Sequence, residues 1–182
     1  YGPIKRRGEA AGQHDQLAAR KAFRSVGPSQ NRTPAAPPPS GPEYLLVDGY
    51  NVMFAWDELK KNAAENLDAA RRRLMDILCN YAGYRKCVPI LVFDAYRVKG
   101  AGREQETWHN LHVIYTREAE TADMFIERAT HELARQHRVR VVSSDGAEQI
   151  ILLGNGALRV SAQAFQREVR AVEAEIREYL ES

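Results

Sequence analysis

Acidic residues stand in this sequence at the points where short apolar runs stop. Asp48 follows the run at 44–47, and comparable runs precede each of the other acids. The acids placed in this way are Asp48, Asp94, Glu120, Asp123 and Asp145. Oxygen ligands without thiolate or imidazole select Mg²⁺ or Mn²⁺, which proteins hold with few carboxylates together with water and substrate phosphate. Such an ion ionises a water and neutralises phosphodiester charge, so the pattern predicts metal-dependent hydrolysis of a phosphodiester.

The apolar runs themselves predict the strands that must position these acids. Runs without polar alternation are typical of strands buried on both faces of a parallel sheet. The predicted strands cover about residues 44–47, 88–93, 111–115, 139–143 and 157–160. Open α/β folds bind ligands at the carboxyl ends of such strands, so we expect Asp48, Asp94, Asp123 and Asp145 to converge there as metal ligands, with Glu120 nearby. Crowding of these carboxylates predicts that at least one has a raised pKa in the metal-free protein.

Helical periodicity alternates with these runs and completes the fold prediction. The predicted helices run over about residues 66–84, from Thr121 as cap to about 137, and from Ser161 onward. The shorter segments are predicted to be a loop or helical turn at 52–56, a loop at 95–107 and a short helix at 149–153. Gly49 is expected to allow a tight turn after Asp48. The alternation predicts the α/β class, with a central, mostly parallel sheet flanked by helices.

Each of the acids also has a purely structural explanation. Asp-Gly, which occurs at Asp48 and Asp145, is a common turn signal. Glu120 and Asp123 stand at a helix start, where the helix dipole favours anions whether or not they do chemistry. The arrival of four or five acids at one edge is a more specific signal than any single acid.

Polar residues near the acids are candidates for holding the substrate. Asn51 offers a second polar side chain close to Asp48, and Arg71 lies beside the apolar stripe of the first long helix. The loop at 95–107 adds three cations that could cover a phosphate chain, Arg97, Lys99 and Arg103. For Arg71 and for the loop, a solvated or salt-bridged surface role is the alternative.

The charge distribution limits how nucleic acid could be bound. The net charge is +2, but residues 1–43 hold seven Lys and Arg against three Asp and Glu. That segment therefore carries +4 and the remainder −2, so a positive field over the whole folded part is excluded as the basis of binding. Binding of RNA would depend on local patches, and an acidic pocket would need cations to tolerate phosphate.

Several other classes of chemistry are disfavoured by composition. Cys79 and Cys87 are too few for a disulfide framework or a zinc site, and the five histidines show no paired metal-ligand spacing. The sequence has no glycine-rich phosphate loop and no activated serine or cysteine signature. It has no apolar run long enough to span a bilayer and no secretory signal, which predicts a cytoplasmic protein without membrane contact.

Four motifs, read in order, carry a family resemblance. VDGYN, VFDAYRVKG, YTREAETADMFIE and SSDGAEQ resemble the NYN nucleases of the PIN-like superfamily, in particular the YacP-like branch of bacterial endoribonucleases. The resemblance implies a Rossmann-like PIN fold over residues 43–182 and metal-dependent cleavage of single-stranded RNA. It also implies a link to the ribosome, since this branch includes a nuclease that cuts mRNA during translation. Carried over by position, the family's acidic and polar site falls on Asp48, Asn51, Asp94, Glu120, Asp123 and Asp145.

The amino-terminal segment, residues 1–42, is predicted to be a basic and proline-rich disordered linker. Its opening residues, YGPIKRR, resemble the last residues of ribosomal-protection-type translational GTPases, which implies a tether that raises the local concentration of a nuclease near mRNA. The alternative to an enzyme is a non-catalytic RNA- or ribosome-binding module that keeps the acidic pocket for structure or weak metal binding.

Overall fold

The computed structural model describes residues 41–94, 105–143, 151–153 and 157–182, with the backbone alone at 151–153. Its centre is a sheet in the order β3-β4-β2-β1-β5-β7-β6. The strands are β1 Tyr44–Asp48, β2 Val88–Phe93, β3 Gln105–Trp108, β4 Leu111–Tyr115, β5 Val139–Ser143, β6 Ile151–Leu153 and β7 Ala157–Ser161. The five inner strands are parallel, and β3 and β6 close the two edges antiparallel. The prediction of a mostly parallel sheet is confirmed.

The helices of the described residues cover both faces of this sheet. They are α1 Gly49–Ala55, α2 Asp57–Glu65, α3 Leu67–Arg85, α4 Ala122–Leu133 and α5 Ala162–Glu181. Asn66, Thr121 and Ser161 begin α3, α4 and α5 as N-caps, each accepting a hydrogen bond from the backbone N–H three residues later. These side chains satisfy donors that have no partner within the helix, which fixes where each helix starts.

Alternating side chains of the central strand β1 show how the two faces are filled. Leu45 and Val47 belong to the cluster packed beneath α1, α2, α3 and α5. Leu46 points the other way into a smaller cluster with Ile126 of α4. Because β1 is buried on both faces, its sequence is apolar without alternation, as the prediction assumed.

A partly buried ionic network closes the amino edge of the sheet, opposite the strand ends that carry the acids. Arg140 at the start of β5 donates two hydrogen bonds of 2.8 Å to the carboxylate of Glu168 on α5. Tyr81 of α3 also bonds to Glu168, and Glu43 lies 3.3 Å from Nε of Arg140. The network joins two helices, strand β5 and the residue before β1 by charge-assisted interactions.

The structure corrects three of the predicted segments and, for a fourth, agrees with one of the two alternatives. Residues 151–153, predicted as helical, form β6, because a short apolar run gives no periodicity and here finds an antiparallel partner in β7. The predicted loop at 95–107 ends in β3, whose polar residues are tolerated because it is an edge strand. Helix α4 ends at Leu133 rather than near 137. Of the two alternatives for 52–56, the structure has the helical one, because most of that segment lies within α1.

Glycine at position 49 serves a close approach rather than a tight turn. Gly49 is the first residue of α1, and a Cβ there would lie 2.3 Å from Cε1 of Phe93. No side chain can occupy that space unless Phe93 moves. The absent side chain therefore allows the end of β1 to sit close to the end of β2, where Asp48 and Asp94 stand.

Candidate active site

Asp48 is the most constrained of the predicted site residues. It is the last residue of β1, lies opposite Val92 of β2 and is only 5% exposed. Asn51 holds both carboxylate oxygens: its N–H donates to Oδ1 over 3.4 Å and its Nδ2 donates to Oδ2 over 2.6 Å. The carboxylate thus doubles as the N-cap of α1, and the predicted partnership of Asp48 with Asn51 is present in the structure.

Asp94 follows β2 and is tied to the start of α4. Its Oδ1 accepts a hydrogen bond of 2.7 Å from the N–H of Ala122, the first residue of that helix. The N–H of Thr116 also donates to the carbonyl of Phe93 over 3.0 Å, so the β4–α4 connection is fastened to the end of β2 at two points. This fastening brings the α4 terminus to the same edge of the sheet as Asp48.

Asp123 is the second residue of α4 and is exposed. The Thr121 hydroxyl caps the helix by accepting from the N–H of Met124 over 3.1 Å, which leaves Asp123 unneeded as a cap. The helix dipole still favours a negative charge at this position. Asp123 is therefore placed so that its carboxylate is available to solvent and ligand.

Electrostatics link these three aspartates. Burial of its carboxyl raises the pKa of Asp48 from the ordinary 3.8 to about 6, the Asn51 N–H opposes the rise, and the charges of Asp94 and Asp123 add to it. The predicted rise in pKa is present at Asp48, but the larger cause is loss of water and crowding is the smaller one. Asp48, Asp94 and Asp123 therefore share one electrostatic environment at the carboxyl edge of the sheet.

Glu120 lies on a different side of the α4 terminus. Its carboxylate pairs with the guanidinium of Arg128, eight residues later in the sequence. The Glu120 side chain is 16% exposed. It lines a cavity beside the helix together with Tyr115 and Met124. Four further predicted site residues, Asp145, Arg97, Lys99 and Arg103, lie outside the described residues.

Arg71 reaches the site through Tyr50 of α1. Its Nη1 donates to the Tyr50 hydroxyl over 3.1 Å, and it also pairs with Asp68. The Tyr50 ring packs on Phe93 with centroids 4.9 Å apart, next to the strand end that carries Asp94. Arg71 is thus held beside Phe93 through Tyr50, with only 11% of its side chain exposed. Its pairing with Asp68 corresponds to the salt-bridged role that is the alternative to a phosphate contact.

Sequence reasoning missed two polar residues beside Arg71. Tyr115, the last residue of β4, donates its hydroxyl to Oε1 of Glu106 over 2.7 Å. Burial, and after it the bond to Glu106, raises the pKa of Tyr115 above its ordinary value, while the charge of Arg71 lowers it. The sequence signal that could have identified Tyr115 is its position: it is a polar aromatic residue at the end of a strand, as Asp48 and Asp94 are acids at strand ends.

The donor set fits an open rather than an enclosed metal site. Among the described residues, no three or more His, Cys, Asp or Glu side chains are grouped closely enough to hold an ion by themselves. Mg²⁺ is commonly bound by one or two carboxylates, with waters and substrate phosphate filling the remaining positions. Asp48 supplies such a carboxylate, and its buried charge with two negative neighbours is one that a divalent cation would stabilise.

Comparison with known proteins places these features in context. The family model of the YacP-like NYN domain matches residues 45–182. YacP of Bacillus subtilis (strain 168) is 42% identical over 137 residues, which cover 74% of this chain and 79% of YacP. The crystal structure of Rae1 (YacP) from Bacillus subtilis superposes with a TM-score of 0.64 at 40% identity, covering 76% of this chain and 79% of Rae1. The crystal structure of a single-residue mutant of Rae1 superposes with a TM-score of 0.62 at 38% identity, covering 74% of this chain and 79% of the mutant.

Proposed function

The chain belongs to the YacP-like NYN family, and from that premise we propose that it is a metal-dependent endoribonuclease that cleaves single-stranded RNA. One observation carries the proposal within its PIN-like fold. A buried carboxylate, Asp48, stands at the ligand-binding edge of a parallel sheet with Asp94 and Asp123 around it. Burying an acid whose charge is unfavourable there has a stability cost, and such sites are characteristic of function.

The cofactor we propose is Mg²⁺ or Mn²⁺, held by Asp48, Asp94 and Asp123 and, from the sequence, Asp145. When bound, the ion would supply charge neutralisation at the phosphate and an ionised water. Asn51 orients the Asp48 carboxylate through both of its oxygens, so that this ligand does not need to reorganise on binding. Asp94 has one oxygen committed to Ala122, which leaves the other as a donor toward the shared site.

Cations near the site would position the phosphate chain of the substrate. Arg71 is fixed by Tyr50, so its guanidinium presents a preorganised positive charge beside the strand ends. The helix dipole at the start of α4 contributes a further positive potential at the same edge. Arg97, Lys99 and Arg103, which lie outside the described residues, are proposed to contact phosphates farther along the RNA strand.

We further propose that the RNA is mRNA met at the ribosome in the cytoplasm. The support is the family resemblance together with the charge of residues 1–43, which carry +4 and could contact ribosomal RNA. No helix among the described residues is long and apolar enough to cross a membrane. The acidic remainder of the chain, at −2, would rely on this segment for its attraction to RNA.

The test compares the purified chain with Asp48→Asn on labelled single-stranded RNA, with Mg²⁺, Mn²⁺ or chelator, and on an mRNA under translation by ribosomes. Asn keeps the size and one acceptor but removes the charge, so we expect cleavage to fall by orders of magnitude while the fold is kept. Asp76→Asn, which removes an exposed charge on α3, is the matched control. Cleavage by Asp48→Asn at the wild-type rate with saturating Mg²⁺ would refute the assignment.

A non-catalytic RNA-binding module is the second candidate, favoured by the structural hydrogen bonds that Asp48 and Asp94 accept from Asn51 and Ala122. It predicts RNA binding that is unaffected by chelator and no cleavage on free RNA or on translating ribosomes. The two candidates therefore differ in the same experiment, because only the nuclease produces metal-dependent cleavage products.

A further inference from the structure

A cavity of about 630 Å³ lies beside the acidic edge, on the other side of the first turn of α4. Helix α4 packs chiefly against β1, β2 and β5, so within the described residues there is a step between this helix and the outer strands β3 and β4. The cavity fills that step between helix and strands. Its position follows directly from the strand order, because β3 and β4 lie beyond β2 at the sheet edge.

The wall that α4 contributes is apolar. Met124 is 53% exposed, and the half-buried Phe125 stands next to it, with Ile114 of β4 opposite. A large exposed apolar side chain beside a cavity indicates a surface that a ligand covers more readily than water. Volumes of about 300–1,000 Å³ are typical of small-ligand sites.

The rim of the cavity is charged and polar. The guanidinium of Arg128 lies 5.4 Å from the centre of the Phe125 ring and pairs with Glu120. A planar guanidinium on an aromatic ring forms a stacking surface, and nucleic-acid-binding proteins use such surfaces for bases irrespective of sequence. Glu120 adds an acceptor that suits the amino group of a base.

The residues that line the cavity are close neighbours of the acidic edge. Thr116, which lines the cavity, donates its N–H to the carbonyl of Phe93, the residue before Asp94. Glu120, which precedes the N-cap of α4, and Met124, the residue after Asp123, both line the cavity. A ligand in the cavity and a phosphate at the acids would therefore be neighbours, on either side of a single helical turn.

We infer that this cavity binds a nucleobase of the RNA, one adjacent to the phosphodiester held at Asp48, Asp94 and Asp123. The inference rests on the proposed function and deepens it. Met124, Phe125 and Arg128 stack on the base, and Glu120 reads its edge instead of holding the metal. Bases that present an amino group are favoured over uracil, whose N3–H donor lies between two carbonyl oxygens that repel the carboxylate.

The experiment measures single-turnover cleavage of RNAs that carry one abasic nucleotide at successive positions around the cleaved bond. We expect one position, next to that bond, to slow the wild-type enzyme by about tenfold, the scale of one lost stacking contact. In Met124→Ala and Arg128→Gln the intact RNA is slowed, and the abasic change at that position adds little further. Leu180→Ala, which truncates a 75% exposed side chain on α5, is the control and retains the full abasic effect.

The outcomes separate this inference from the proposed function. Cleavage with no sensitive position, or with the same abasic effect in Met124→Ala as in the wild type, overturns the base site and leaves the nuclease intact. If no RNA is cleaved, the nuclease fails, and the base site is tested by fluorescence of RNA containing 2-aminopurine. Quenching that is lost in Met124→Ala but kept in Leu180→Ala supports the site, and equal quenching in both overturns it.

Discussion

Replacing Asp48 by Asn should stabilise the metal-free protein, and the gain should depend on pH. The pKa of Asp48 rises from 3.8 to about 6 on folding, chiefly because the carboxyl is buried. Between these values the folded protein holds a proton that the unfolded chain has released, so stability falls as pH rises. Above pH 6 the full difference of about two pKa units applies, which is on the order of 3 kcal/mol.

Asparagine avoids this penalty but gives up one interaction. An amide has a single oxygen, so one of the two bonds from Asn51 is lost, at a cost of about 1 kcal/mol. The expected net gain for Asp48→Asn is therefore about 2 kcal/mol at pH 8. Below pH 4 the aspartate is protonated in both states, so the gain should vanish and leave a small loss.

Urea unfolding between pH 4 and pH 8, with chelator present, measures the difference directly. Asp76→Asn provides the background for removing one exposed carboxylate. An Asp48→Asn variant that is no more stable than the wild type at pH 8, or whose difference is the same at pH 4 and pH 8, would refute the argument. Either outcome would mean that contacts other than those described stabilise the buried carboxylate of Asp48.

Three further predictions concern the same edge of the sheet. Saturating Mg²⁺ or Mn²⁺ at pH 8 should raise the melting temperature of the wild type but leave that of Asp48→Asn unchanged, as differential scanning fluorimetry would show. Gly49→Ala should lower the free energy of unfolding by about 1–3 kcal/mol in denaturant titrations, because the new Cβ would lie 2.3 Å from Phe93. The control Gly83→Ala, whose Cβ would have its nearest contact at 3.8 Å, should be neutral or stabilising. Arg71→Ala should weaken RNA binding and reduce the dependence of the binding constant on salt concentration, with little change in metal affinity. A salt dependence equal to that of the wild type would exclude a contact between Arg71 and a phosphate.

The strand ends could be predicted from sequence because burial on both faces leaves a clear signal. Uninterrupted apolar runs stop at Asp48 and Asp94, and the topology brings those ends together as parallel strands require. The start of α4 was equally readable, since Thr121 has the side chain that caps a helix. These signals are local, so they can be read from a single sequence.

The relations between elements could not be read in this way. Nothing in the sequence indicates that Asp94 bonds to Ala122, or that Glu120 turns to Arg128 on the far side of the helix start. Both depend on the angle at which α4 meets the sheet, which is set by packing over the whole face. The edge strand β3 escaped prediction for a similar reason, because its pairing with β4 rather than its composition makes it a strand.

The hydrogen bond from Ala122 to Asp94 has a practical consequence for anyone designing inactive variants. An alanine at position 94 would remove a proposed metal ligand and, at the same time, the acceptor that holds the start of α4, where Asp123 lies. A loss of activity in that variant could then come from the missing carboxylate or from the displaced helix start, and the assay would not separate the two. Asparagine keeps the acceptor for Ala122 and confines the damage to charge, which makes Asp94→Asn the variant suited to trapping an uncleaved complex.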